Sequence, residues 1–192
     1  MRHCAAPVLT AVSVPSDLPV DVQQRAARVT LLVLDVDGVL TDGRIIYDEF
    51  GDELKHFDVQ DGAGLVLWQR AGLRSAIISA RKSKLVKRRA KEMRIDVLAQ
   101  NAADKLQVYE GLLTRFRLPQ EQVCAMGDDV MDLPMLHRAG LAIAVPNAIE
   151  DVKTASHYIT HRPGGRGAVR EVIDLILKAK GLWEGIVKSY QA

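Results

Sequence analysis

The run LLVLDVDGVLTDG, residues 31–43, carries Asp35 and Asp37 one residue apart where an apolar strand should end. Strand side chains alternate with a period of two, so both carboxylates lean to the same side. Two ionised carboxylates that close repel, and they ask for a bridging cation or for one of them to stay protonated. Taken alone, the pair also fits a turn, because Asp-Gly is a common turn dipeptide. An EF-hand loop does not fit: its acidic positions and its closing glutamate are missing. Other segment ends decide the matter. IISAR puts Ser79 just past a second apolar run, NAADKL puts Lys105 at a helix start, and AMGDDVMDLP puts Asp128 and Asp129 past another apolar run. Acids, a hydroxyl and a lysine on one edge of a sheet suit phosphoryl transfer. A hard divalent cation, magnesium, would take oxygens from Asp35, the backbone carbonyl of Asp37, and Asp128. Ser79 and Lys105 would hold the remaining phosphate oxygens. A carboxylate with a reference pKa of about 3.9 is ionised at neutral pH, so Asp35 can attack phosphorus without a base. Asp37 is placed to protonate the leaving alkoxide and then to take a proton from water, help worth roughly 10² to 10⁴ in rate. Gly38 lets the backbone approach the phosphate.

Residues on separate segments converge only if the chain folds as an open α/β sheet. Short apolar runs at 31–34, 75–78, 96–99, 123–126 and 141–145 read as buried strands, each bounded by Gly, Asp or Asn. Between and after them, residues 62–70, 83–93, 105–116, 131–138 and 168–180 carry helix-spaced apolar side chains. This alternation predicts a Rossmann-like parallel sheet with helices on both faces, and such sheets bind ligands beyond the carboxyl ends of their strands. Residues 43–57, GRIIYDEFGDELKHF, break the alternation and read as an inserted β-hairpin. It is too small for a core of its own, so it either folds over the site or pairs with copies from other subunits.

The chain of 192 residues, 48% apolar and 26% charged, is long enough for one domain with a full core. The expected organisation is an N-terminal extension over 1–30, a domain over 31–181 and a tail over 182–192. A net charge of +2 gives no electrostatic case for a nucleic-acid partner. The locally basic RKSKLVKRRAK, residues 81–91, reads first as the solvated face of a helix. Cys4 and Cys124 are too far apart in sequence for a zinc motif and fit a reducing, cytoplasmic setting. No apolar run reaches the roughly 18 residues that span a bilayer. Pro7, Pro15 and Pro19 break the apolar stretch at the N-terminus before it becomes a signal sequence.

DVDGVLTDG, the strand end at Ser79, Lys105 and GDDVMD resemble the four motifs of the haloacid dehalogenase superfamily of aspartate-nucleophile phosphatases. The hairpin in place of a cap domain, FDVQDGAG and GGRGAVRE are similar, within that superfamily, to the 3-deoxy-D-manno-octulosonate (KDO) 8-phosphate phosphatases, over residues from about 31 to 180. The resemblance implies a cytoplasmic, magnesium-dependent homotetramer acting on a small sugar acid phosphate in the supply of KDO for lipopolysaccharide. Its hairpins would pair at the centre. It implies Asp35 as nucleophile, Asp37 as acid/base, Asp128 as the third metal ligand, and Ser79 and Lys105 as phosphate-binding groups. Asp58, Val59, Gln60, Asp61 and Gly62 match the loop that contacts the substrate. Arg81 and Arg89 match basic positions facing the sugar acid, where a carboxylate would give Arg81 a bidentate partner; Lys82, Lys84, Lys87 and Arg88 remain solvated. Residues 164–166 and Arg170 match the late glycine-rich segment. The chain departs from the pattern in having Gln60 for an arginine, Asp58 for an asparagine, Val66 for a basic residue, Ser79 for a threonine and Ala80 for a glycine. Serine keeps the hydroxyl. The charges missing at Gln60 and Val66 keep an acylneuraminate 9-phosphate open as an alternative substrate. A receiver-type phosphorylation switch is the other alternative, but in a receiver the acceptor aspartate lies on the third strand and the lysine near the end.

Of the remaining residues, Asp132 is expected to orient Lys105 or its loop, and Asp129 to sit behind the metal ligands. His157 and His161 look extended and lack a third ligand for zinc. Trp68 belongs to a core or interface. Trp183 lies in a tail that frays or reaches a neighbour.

Overall fold

A computed structural model describes residues 18–191. Its centre is β1 (Leu31–Leu34), four apolar residues without a polar alternate, all buried. Such a run needs cover on both faces, as a parallel sheet wrapped by helices provides. β1 pairs in parallel with β4 (Arg74–Ile78) on one side and β6 (Val123–Gly127) on the other. The sheet extends through β5 (Val97–Ala99), β7 (Leu141–Ala144) and β8 (Tyr158–Ile159) to the order β5-β4-β1-β6-β7-β8. All of its pairings are parallel.

The chain leaves β1 for β4 and β5, then returns to the opposite side of β1 at β6. The strand order therefore reverses between β1 and β6, and the crevice of an open α/β sheet forms at that switch point. Asp35 and Asp128 each follow the last residue of these two strands, and the Asp35 amide donates to Met126 O at 3.1 Å.

The helices are α1 (Val20–Arg28), α2 (Val59–Arg70), α3 (Lys84–Glu92), α4 (Lys105–Phe116), α5 (Leu133–Leu136), α6 (Glu150–Ala155), α7 (Ala168–Ala179) and α8 (Trp183–Ser189). α7 shows how pattern becomes packing: Val169, Val172, Ile173, Ile176 and Leu177 form one buried stripe, and the chain turns off at Gly181 with φ +68°. Trp68 on α2 is fully buried, with Nε1 donating to Arg74 O at 2.7 Å, so it belongs to the core.

The sequence pattern did not show α6 or β8, and four further features differ from the expected elements. α1 lies before residue 31 and buries Val22 and Ala26, while Arg25 donates to Gly140 O. α2 starts at Val59 rather than at 62, because Asp58 caps it by accepting from the Gln60 amide at 2.6 Å. The helix expected over 131–138 splits into a 3₁₀ turn, Val130–Asp132, and the short α5. The tail carries α8. Residues 1–17, including most of the expected extension and Cys4, lie outside the described residues.

Candidate active site

Asp35 is buried and meets Lys105, whose Nζ donates to Asp35 Oδ1 and to Asp132 Oδ1, each at 2.6 Å. Lys105 reaches them because Asp104 caps α4, accepting from the amides of Leu106 and Gln107, which fixes Lys105 in the first turn. Asp132 is engaged through both oxygens: Oδ2 accepts from the Asp128 and Asp129 amides at 3.0 and 3.3 Å. It thus orients Lys105 and the loop after β6 together. Gly127 permits this approach, since a Cβ there would lie 2.4 Å from the Asp132 Cβ. Gly38 has φ +99°, and a Cβ on it would lie 2.0 Å from Asp128 Oδ2, so glycine is required on both counts.

Carboxylate oxygens of Asp35, Asp128 and Asp132 lie within 4.8 Å of one another. One ammonium cannot balance three carboxylates. Burial, then the Asp132 charge, pushes the Asp35 carboxyl up to about 6 against the opposing pull of Lys105. Burial, then the charges of Asp35, Asp132 and Asp129, pushes Asp128 up to about 7. For Lys105, burial works against the charged form, but Asp35 and Asp132 outweigh it and raise its pKa. Asp35 keeps Oδ2 outside the lysine contact, and Asp128 leans over Gly38 beside it. This oxygen-rich, over-acidic corner has the donor chemistry of a hard divalent cation.

Ser79 is buried one residue beyond β4, in the strand beside β1, and its Oγ accepts from the Arg81 amide at 3.2 Å. Asp37 is partly exposed. Its Oδ1 accepts from Lys55 Nζ at 2.5 Å, and Oδ2 lies 3.8 Å from Arg81 Nε. Lys55 follows β3 (Glu53–Leu54), which pairs with β2 (Ile46–Tyr47) in the inserted hairpin. The hairpin therefore folds its base over the site. Arg81 also donates to Glu53 at 3.0 Å, so an acid of its own chain already holds it.

The 58–62 segment divides. Asp58 caps α2, Val59 is exposed, and the exposed Gln60 accepts from Arg162 at 2.6 Å. Asp61 turns inward: Oδ1 accepts from the Arg170 amide at 2.7 Å, Oδ2 is buried without a partner, and burial raises its pKa to about 6. It docks the start of α7. Gly62 leaves room for Arg89, which donates to Asp58 O at 3.1 Å and lies over the Phe57 ring. Asp129 caps the turn that follows it. His157 accepts from the Ala142 amide, and His161 lies with Tyr158 and Glu171, so the two histidines serve separate backbone and loop contacts.

Two site residues escaped the sequence reading. One is Lys55; its signal was the period of two, which puts Glu53 and Lys55 on one side of a strand. The other is Asn147, which donates to Gly38 O at 2.9 Å and accepts from the Gly164 amide at 2.8 Å. It ties the glycine-rich loop to the turn after Asp37. No local signal marks it, because its partners lie far away in sequence.

An open parallel sheet with an aspartate after its central strand, a lysine-bridged acid cluster and a hairpin over the mouth defines a class. The chain belongs to the haloacid dehalogenase-like hydrolases, whose family model matches residues 69–173. Within that family it is 45% identical over 165 residues to the KDO 8-phosphate phosphatase of Yersinia pestis, covering 86% of this chain and 88% of that protein. The Moraxella catarrhalis enzyme of that name, solved with magnesium ion, phosphate ion and KDO, superposes with a TM-score of 0.86 at 42% identity, over 88% of this chain and 98% of that one. The cobalt-bound enzyme of Haemophilus influenzae gives a TM-score of 0.79 at 35% identity, over 82% and 92%.

Proposed function

We propose that this protein is a magnesium-dependent phosphatase that hydrolyses KDO 8-phosphate to KDO and phosphate through a phosphoaspartyl intermediate. The observation that carries the reading is the cluster of Asp35, Asp128 and Asp132 around Lys105 at the switch point of the sheet. Asp35, Asp128 and the backbone carbonyl of Asp37 would hold the magnesium ion, which when bound supplies positive charge to the carboxylates and to the phosphate. Lys105 and Ser79 hold phosphate oxygens. Asp35 forms a bond to phosphorus as the bond to the sugar oxygen breaks, and Asp37 gives that oxygen its proton. Water then attacks the same phosphorus, Asp37 takes a proton from it, and Asp35 leaves as a carboxylate.

The substrate side is built from Asp58, Val59, Gln60 and Gly62 with Arg81 and Arg89. Asp61 supports it from behind. Two of the cited relatives are structures or sequences of KDO 8-phosphate phosphatases at more than 40% identity, which supports an eight-carbon sugar acid. The assembly we propose is a homotetramer in the cytoplasm. Ile45, Tyr47, Phe50 and Leu54 of the hairpin are 49%, 59%, 83% and 48% exposed, an apolar surface suited to covering by copies of itself. No helix among the described residues is long and apolar enough to cross a membrane.

The test is kcat/KM with magnesium on KDO 8-phosphate, acylneuraminate 9-phosphate and other sugar acid phosphates. Many turnovers with preference for KDO 8-phosphate are expected. Preference for the nine-carbon ester would move the substrate, and a single stable phosphorylation of the protein would replace the enzyme by a switch.

A further inference from the structure

Lys55 is a lysine whose side chain is 1% exposed, an expensive place for an ammonium unless carboxylates surround it. Two do: Asp37 Oδ1 at 2.5 Å and Glu53 Oε1 at 3.3 Å. The contact uses one oxygen of Asp37 and leaves Oδ2, whose neighbour Arg81 stands at 3.8 Å, beyond hydrogen-bond distance. The Asp37 side chain sits on a loop just past β1 and is 22% exposed, and the hairpin lysine holds it at hydrogen-bond distance where Arg81 makes only the longer ion pair.

We propose that Lys55 is a positioning residue for proton transfer by Asp37. It holds Oδ1 so that Oδ2 faces the oxygen of the leaving group. The hairpin would then serve the chemistry as well as the assembly. This inference rests on the phosphatase reading, with Asp37 as its acid.

A role in proton donation has a signature that a purely structural role lacks. A sugar alkoxide needs a proton to leave, whereas p-nitrophenolate does not. The quantity to read is kcat/KM, which reports the steps up to formation of the phosphoenzyme. Comparing two esters on one preparation cancels the fraction of protein that is folded. Lys55→Gln is expected to lower kcat/KM for KDO 8-phosphate by about 10- to 100-fold, part of the roughly 10² to 10⁴ that acid–base help supplies. For p-nitrophenyl phosphate the loss should stay below about 3-fold, and Lys55→Arg should recover most of the difference between esters. Added to Asp37→Asn, Lys55→Gln should cost the sugar ester little more, because the two residues act as one unit. Equal losses on both esters, no loss on either, or full additivity with Asp37→Asn would overturn the proposal. A wild-type protein inert to both esters would instead overturn the phosphatase reading beneath it.

Discussion

Replacing Asp128 by Asn should stabilise the protein when divalent cations are chelated. Asp128 leans into the corner already holding Asp35 and Asp132, and in the folded state its carboxyl is raised from 3.8 to about 7 by burial and by those charges. A raised carboxyl favours folding only while it is protonated. Its stabilising share is complete below the unfolded value near 3.8 and is lost as pH rises through about 7, so at pH 8 ionised Asp128 works against folding. At about 1.4 kcal/mol per pH unit the full rise amounts to roughly 4 kcal/mol; partial exposure of the residue screens its neighbours, and about 2 kcal/mol is the working figure. For a domain of this size that is a Tm increase of about 4–8 °C. Thermal unfolding of wild type and Asp128→Asn in EDTA, from pH 4 to pH 8, measures it. The variant should be the more stable at pH 8, the gap should close towards pH 4, and saturating magnesium should favour the wild type instead. Equal stability at pH 8 in EDTA, or a gap that persists at pH 4, would refute the reasoning that these acids crowd one another.

Gly38→Ala should lower kcat/KM by about 100-fold or more, because its Cβ would meet Asp128 Oδ2 at 2.0 Å and displace the acid by the ångström that catalysis does not tolerate; steady-state kinetics against wild type checks it. Trp68→Ala should cost about 3–5 kcal/mol in urea unfolding, from the cavity and the lost bond to Arg74 O. Phe50→Asp at the 83% exposed hairpin tip should shift the assembly towards smaller species in light scattering while leaving the far-ultraviolet circular dichroism unchanged.

The strands were legible because their cover is complete: LLVL, AII, VCAM and LAIA are buried residue after residue, and runs that short and that apolar suit a sheet covered on both faces. Asp35, Ser79, Asp128 and the helix-start Lys105 were legible because a strand end or helix start is a local feature, and parallel sheets bring such ends together. The period of two was visible in the hairpin, but the burial of Lys55 depends on the hairpin's base folding onto Asp37, a contact between distant residues. Asn147 is invisible for the same reason, joining Gly38 to Gly164. α1 was hidden by its polarity, with only Val22 and Ala26 buried, and β8 by its length of two residues. Asp61 sits in a segment that reads as substrate loop, and only the packing of α7 onto α2 shows that its Oδ1 also accepts from the Arg170 amide.

Whether Asp35 forms a covalent bond to phosphorus is decided by rapid quench of the magnesium-loaded protein with phosphorus-labelled KDO 8-phosphate, followed by peptide mapping. Label bound to the protein in the first turnover, on Asp35 and absent from Asp35→Asn folded as judged by circular dichroism, is expected. Label on another residue, or undiminished turnover by Asp35→Asn, would contradict it.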